Sequence, residues 1–321
     1  MWYIKVFKLD KNSKIIIPGA AGLVGQNLII MLKEKGYKNL VAIDKHCNNL
    51  KTLKSIHPDI KAIETDLAEK GEWEKLFEGA DIVLMLQAQI GAPTIEPFIR
   101  NNITSTKNII EVIKKYKIPY LVHISSSVVN SVADDFYTNT KKEQEKLVLE
   151  SGIKNCILRP TLMFGWFDRK HLGWLSRFMK KIPFFPIPGH GRYMRQPLYE
   201  RDFCSIIIST MEKQPDNKIY NITGRDEVDY IDIIRAIKKA TKSKTPIIRI
   251  PYKLFYFLMW SYAIFSNNPP FTTQQLEALI ADDHFELIPW WDIFEVKSTP
   301  FEKAINDTFN DPVYSKYILE F

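Results

Sequence analysis

An α/β fold, a doubly wound parallel sheet with a smaller α+β cap, is predicted by three features of this 321-residue sequence. Short β-like runs alternate with amphipathic helical stretches through the first half. A glycine-rich turn stands directly after the first of those runs. After about Pro160 the texture changes to proline-rich chain with longer loops.

Taken in order, residues 14–17 read as a strand, 23–35 as a helix, and 39–44 and 60–64 as further strands. Strands at 82–86 and 120–125 flank a helix over 99–116, whose Ile103, Ile109, Ile110, Val112 and Ile113 recur at helical spacing. Strand and helix in alternation give a parallel sheet covered on both faces. Pro183, Pro186 and Pro188, followed by Gly189 and Gly191, mark the second region, in which 201–211 and 231–240 read as helices and 288–296 is rich in Trp. The division expected is a nucleotide-binding domain over 1–162, with a return segment near 195–222, and a cap over 163–321.

Composition narrows the class. A hydrophobic share of 45% and a charged share of 25% are those of an ordinary folded domain, so disordered and collagenous readings fall away. Cys47, Cys156 and Cys204 are odd in number and lack paired spacing, as expected of reduced thiols in a cytoplasmic protein. Residues 1–13 alternate Trp2, Ile4 and Val6 with Lys5, Lys8 and Lys11 and build no signal-peptide core. The apolar run 254–265 is shorter than the roughly 20 residues a bilayer requires, so no transmembrane segment is expected. It reads as a buried helix, with interfacial docking as the alternative. A net charge of +7 raises the question of nucleic acid, but Lys114, Lys115, Lys117, Lys141 and Lys142 lie among acids at helical spacing, a solvated face rather than a phosphate track. A site for an anionic small molecule remains open.

The glycine turn is Gly19-Ala-Ala-Gly22-Leu23-Val24-Gly25, and a helix follows it. Glycines there let the backbone approach a pyrophosphate, and the helix N-terminus offers free N–H groups, the arrangement of a Rossmann-type dinucleotide site. Asp44 ends the second strand, where a carboxylate accepts from an adenosine ribose and repels a 2′-phosphate; NAD is therefore expected over NADP. Asp66, at the end of the third strand, is placed for the adenine edge, or equally for a surface turn.

Ser125, Ser126 and Ser127 close the fifth strand, and eleven residues past Ser126 stands Tyr137, with Lys141 four residues further on. Residues four apart share a helix face, so the ammonium is expected to favour the phenolate. Bringing a phenol from a pKa near 10 into use at pH 7 takes a shift of about 3 units, roughly 4 kcal/mol. Tyr137 then serves as general acid/base and Ser126 holds the same substrate oxygen. None of the other tyrosines has Lys at the fourth position after it. His46, His57, His123, His171, His190 and His284 show no paired spacing, so no metal is expected. Asp168, Lys170 and His171 read as a substrate loop or a solvated one.

These motifs resemble the extended short-chain dehydrogenase/reductase family, in particular its NAD-dependent nucleotide-sugar epimerase/dehydratase type, over residues 14–224. Asn102 to Asn108 (NITSTKN) is similar to the family's N-x-x-G-T-x-N helix, with Ser105 in place of glycine. Leu158-Arg159-Pro160 with Phe164-Gly165 looks like its RP-x-x-x-G element. The resemblance implies that Gly19, Gly22, Leu23, Val24, Gly25, Asp44, Asn48, Asp66, Leu67, Leu86, Gln87, Ala88, Asn102, Ser125, Tyr137 and Lys141 line the cofactor. It implies that Ser126, Ser127, Phe164 and Arg195 meet the substrate, Arg195 through its diphosphate; bottom-up, Arg195 can equally be a surface residue and Asp202 a helix N-cap. Pro18, Asn130 after Val129, and a short gap between Ser126 and Tyr137 depart from the pattern. The gap resembles a branch similar to an accessory NADPH-binding subunit of respiratory complex I. Dehydratases carry Asp-Glu after the active-site hydroxyl residue, where this chain has Ser127-Val128. The resemblance thus implies an NAD-dependent epimerase of a nucleotide sugar, a UDP-sugar at C4 through a transient 4-keto sugar, working as a homodimer. The alternatives are a nucleotide-sugar ketoreductase with the same three residues and a non-catalytic dinucleotide-binding scaffold.

Overall fold

Strands covered on both faces need continuous apolar runs, and Ile15–Pro18 (β1) is such a run, buried at every position. The computed structural model describes residues 8–265, 273–280 and 285–320. The expectations for the first seven residues and for His284 lie outside the described residues.

From β1 the chain continues through helix Leu23–Glu34 (α1), strand Leu40–Asp44 (β2), helix Cys47–Ile56 (α2), and strands Lys61–Glu64 (β3) and Ile82–Met85 (β4). Helix Ser105–Lys115 (α3), strand Leu121–Ile124 (β5), helix Phe136–Leu149 (α4) and strand Asn155–Pro160 (β6) follow. The expected helix over 99–116 is not uniform: a π-helical turn, Ile99–Thr104, precedes α3. Such turns collect at functional positions, and this one carries Asn102. Later elements are helix Leu172–Met179 (α5), helix Glu200–Lys213 (α6), strand Lys218–Ile222 (β7), and helices Tyr230–Ala240 (α7), Tyr252–Phe265 (α8) and Thr273–Ile280 (α9).

The seven strands form one sheet in the order β7-β6-β5-β4-β1-β2-β3, parallel throughout. The order reverses between β1 and β4, so a crevice opens at their carboxyl ends, where ligands of such sheets bind. Alternate side chains point to opposite faces. Ile15 and Ile17 therefore join α1, α6 and Trp290 in one core layer. Ile16 joins Ile109 and Ile113 of α3 and Val148 of α4 in the other. A third cluster, around Phe164, Ile234 and Ile305, forms the cap. Short pairs hold it together: Phe185–Pro188 with Ile247–Ile250, and Met194–Arg195 with Val228–Asp229.

No helix among the described residues is long and apolar enough to cross a membrane. The expected burial of 254–265 is corrected by α8. Leu254, Phe257 and Trp260 are 49%, 57% and 52% exposed, because α8 covers the cap with one face only. Its side chains beyond Ser261 lie outside the described residues.

Trp290 is buried and its indole N–H donates to the Thr223 carbonyl at 2.9 Å. It joins the C-terminal segment to the sheet layer. Trp290→Ala is expected to cost about 3–5 kcal/mol, read as a lower denaturant midpoint; an unchanged midpoint would contradict this packing role.

Candidate active site

The glycine turn is fixed by close approach. Gly19 has φ +80°, and a Cβ there would stand 2.5 Å from the backbone N of Gln87. At Gly25, in the first turn of α1, a Cβ would stand 2.3 Å from the Ala20 carbonyl oxygen. Glycine at these two positions lets β4 and α1 close on the turn. Gly22 differs: its Cβ would meet only the Gly19 oxygen at 3.4 Å, an ordinary contact. No side chain caps α1, so the N–H groups of Leu23, Val24 and Gly25 face outward at the positive end of the helix.

Asp44 closes the turn from the side of β2. One carboxylate oxygen accepts from the Ala21 N–H and the other from the His46 N–H, both at 2.9 Å. Burial raises its pKa, opposed by those bonds. Each oxygen keeps a second lone pair for a ribose hydroxyl. Asn48 donates to a Glu320 carboxylate oxygen at 2.6 Å, placing a second acid beside the same corner. Asp66 is embraced by cations, with Arg100 Nε at 3.2 Å and Lys45 Nζ at 3.6 Å. Burial raises its pKa, but the Ala68 N–H, Lys45 and Arg100 outweigh it and hold the carboxyl below its ordinary value. Leu67 gives its carbonyl to Asn108, and the Leu86 N–H donates to the Pro18 carbonyl at 2.9 Å. Asn102, buried, accepts from the Gln89 N–H at 2.7 Å and donates to Thr140 at 3.0 Å. It thus pins the loop after β4, at Gln89, to α4.

Ser126 and Tyr137 are brought together. Ser126 sits in extended backbone just past β5 and its Oγ accepts from the Val128 N–H at 3.4 Å. Tyr137 is the second residue of α4, which Asp135 caps by accepting from the Thr138 N–H at 2.9 Å. Burial raises the Tyr137 pKa, and hydrogen bonding from Ser126 opposes that rise.

Lys141 behaves differently from expectation. Its side chain is wholly buried, and Nζ donates to the Ile124 carbonyl at 3.0 Å and to Gln144 Oε1 at 2.5 Å. The groups acting on the phenol are Ser126 and Asp135, so the expected direct pairing of ammonium and phenol is absent. The reason is desolvation: an ammonium away from water takes the nearest strong acceptors, and the last carbonyl of β5 and the amide one turn along α4 are those acceptors. Burial pulls the Lys141 pKa down to about 7, with Glu145 opposing. Gln144 in turn donates to Thr106 at 2.9 Å, and Gln87 Nε2 reaches the same hydroxyl at 3.3 Å. Sequence reasoning missed Thr106 and Gln144, although Gln144 lies three residues from Lys141 on the same helix face. It also missed His123 as a neighbour, which burial and Lys141 hold neutral.

The substrate side brings corrections. Phe164 is buried in the cap core with ring centroids 5.5 Å from Tyr199 and 5.8 Å from Phe301, so it supports the site from behind. An apolar ring near the cap hinge was indistinguishable in sequence from a substrate contact. Asp202 is not an N-cap; it accepts from the N–H and the hydroxyl of Thr299 at 2.8 and 2.7 Å, tying α6 to the C-terminal segment. Asp168 is buried and accepts from the N–H groups of Lys170, His171 and Gly173 at 2.8–2.9 Å, which makes its loop a fixed one. Ser127 opens a 3-10 turn after Ser126. The Arg195 guanidinium donates to the carbonyls of Met194 and Leu279 and borders a cavity of about 620 Å³, whose wall also includes Lys170 and His171. Among the described residues no cluster of His, Cys, Asp and Glu could hold a metal.

A dinucleotide fits these residues. The glycine turn is a cradle with an uncapped helix end, and two buried polar atoms, Gln87 Oε1 in the residue packed on Gly19 and Ser125 Oγ at the end of β5, have no hydrogen-bond partner. Unpaired buried groups of this kind are costly unless a ligand satisfies them.

Comparison with known proteins agrees. A family model described as "NAD dependent epimerase/dehydratase family" matches residues 15–223. Short-chain dehydrogenase/reductase family 42E member 1 of Macaca fascicularis is 23% identical over 290 residues, covering 78% of this chain and 72% of that protein. A ceramide reductase of Caulobacter vibrioides is 21% identical, covering 75% of each chain. Among solved structures, UDP-glucuronic acid 4-epimerase from Bacillus cereus, in complex with UDP-glucuronic acid and NAD, superposes with a TM-score of 0.70 at 20% identity, over 92% of this chain and 98% of that one. At that identity the likeness shows the fold.

Two outcomes follow from this geometry. Gly22→Ala is expected to leave the denaturant midpoint unchanged but weaken NAD binding in a titration, whereas Gly25→Ala costs about 1–3 kcal/mol of stability; equal effects on the midpoint would refute the division of roles. A lysine whose folded pKa is near 7 binds fewer protons than the unfolded chain between that pH and its ordinary 10.5, so its contribution to stability rises with pH across that window. The stability difference between wild type and Lys141→Met should therefore move in favour of wild type as pH climbs from 7 to 10.5; a difference independent of pH would exclude the buried amine.

Proposed function

The chain belongs to the NAD-dependent epimerase/dehydratase family, and on that premise we propose that it is an NAD-dependent epimerase of a sugar carbinol. The finer reading is C4 of a sugar carried on a diphosphate, a UDP-sugar in the solved neighbour, turned over through a transient 4-keto sugar. The observation that supports it is the approach of Ser126 to the Tyr137 hydroxyl at the carboxyl edge of the sheet, with Lys141 buried beneath and the glycine turn two strands away.

The chemistry supplied by bound NAD is reversible hydride transfer at the carbinol carbon. Gly19, Gly22, Leu23, Val24 and Gly25 would hold its pyrophosphate, Asp44 its adenosine ribose, and Lys141 its nicotinamide ribose. Tyr137 takes the carbinol proton as the keto sugar forms and returns it afterwards; Ser126 donates to the same oxygen and keeps it in line with the phenol. Lys141 acts on Tyr137 through what it holds rather than by direct contact, which makes it a positioning residue. Residues 1–162 with the return segment carry the cofactor, and 163–321 the substrate, with Arg195 at the diphosphate.

A second reading, net reduction of a ketone, is favoured by one observation. Burial keeps Tyr137 protonated, the form that gives a proton to a carbonyl oxygen. The relative described as a ceramide reductase belongs to that class of reaction. Net consumption of NADH by substrate would select it, whereas epimerisation consumes none.

Tyr137→Phe removes the proton donor and keeps the ring. Turnover is expected to fall by about 10²–10⁴ with NAD binding retained; turnover within a few fold of wild type would overturn the assignment in either reading.

A further inference from the structure

Beyond a charged flank of Lys170, His171 and Arg195, the cavity is walled mainly by aliphatic and aromatic side chains. We propose that it takes a long apolar chain, so that the substrate is an amphiphile whose carbinol lies at Ser126 and Tyr137 and whose alkyl or prenyl tail lies in the cap. The placement of the head group rests on the reading above; the placement of the tail rests on the cavity.

The volume, about 620 Å³, is that of a site for a sizeable ligand. It starts at Thr161, the first residue past β6 and one strand from the β5 end that carries Ser125 and Ser126. From there it runs into the cap, where Leu172 and Phe178 of α5, Ile233 of α7, and Leu258 and Met259 of α8 supply the wall. A nucleoside base and ribose present many donors and acceptors, and burying them against aliphatic and aromatic carbon without partners costs several kcal/mol. The polar groups near the entrance are already engaged in part: Thr161 donates to the Gln196 carbonyl at 3.4 Å, and the Gln196 side-chain oxygen accepts from the Phe285 N–H at 3.0 Å. An apolar chain needs no such partners and gains from every methylene removed from water.

Helix α8 adds an independent point. Apart from exposed Lys253, its described side chains are largely apolar: Leu258, itself 49% exposed, and Met259 line the cavity, while Leu254, Phe257 and Trp260 stand about half exposed. A surface helix over a nucleotide site would present a charged outer face.

The test is a chain-length series of octyl, decyl and dodecyl β-maltoside, each kept below its micelle threshold and titrated by calorimetry and by Trp fluorescence. Trp174 borders the cavity, and Trp174→Phe identifies its share of the signal. Affinity is expected to rise about fourfold per methylene, or about fifteenfold from octyl to decyl, the ~0.8 kcal/mol of a buried CH₂. Leu258→Lys, at a half-exposed position that tolerates substitution, should flatten the series. Affinity independent of chain length, or displacement of dodecyl maltoside by UDP-glucose at lower concentration than its own, overturns the proposal. Maltosides that bind with the predicted slope to a protein without redox or epimerase turnover would leave the tail site standing and remove the catalytic reading. Turnover of UDP-glucose with no maltoside binding would do the reverse.

Discussion

An ammonium group shut away from water has to be given acceptors, and the catalytic corner is organised by how Lys141 obtains them. One is the carbonyl of Ile124, the last residue of β5; the other is the amide of Gln144, itself held by Thr106 of α3. Strand β5 and helices α3 and α4 are thereby locked around a single nitrogen. Ser126 and Tyr137 meet because they leave the ends of two elements so joined. The cost falls on the lysine, whose pKa drops to about 7, and on two buried polar atoms, Gln87 Oε1 and Ser125 Oγ, that stay without partners. Unsatisfied buried groups of this kind are what a binding site costs its scaffold.

Much of this was legible in the sequence because backbone constraints write themselves into residue types. Gly19 and Gly25 are required by contacts of 2.5 and 2.3 Å that a Cβ would make, and their spacing before an apolar helix reads directly. Asp44 was legible as a strand-end carboxylate beside the glycine turn, whereas its bonds to the Ala21 and His46 N–H groups emerged only from the fold. The seven-stranded parallel sheet follows from apolar runs alternating with amphipathic helices.

What could not be read depends on long-range packing. Spacing put Tyr137 and Lys141 on one face, but which acceptor the lysine finds is decided by where α4 lies against β5, a pairing 17 residues apart. Phe164 read as a substrate contact by motif position and Asp202 as a helix N-cap; one fills the cap core and the other ties down Thr299, 97 residues away. The half-exposed face of α8 was hidden because an uninterrupted apolar run has no polar stripe to show which side is covered. The cavity is assembled from eight separate stretches of chain and has no local signature at all.

The central claim is that a buried amine of near-neutral pKa organises the site. Carbon-13 NMR titration of the lysine Cε resonances, with the Lys141 signal identified by its absence from Lys141→Met, measures it directly. The account predicts one resonance titrating near pH 7. A Lys141 resonance that titrates near 10.5 with the surface lysines would contradict it.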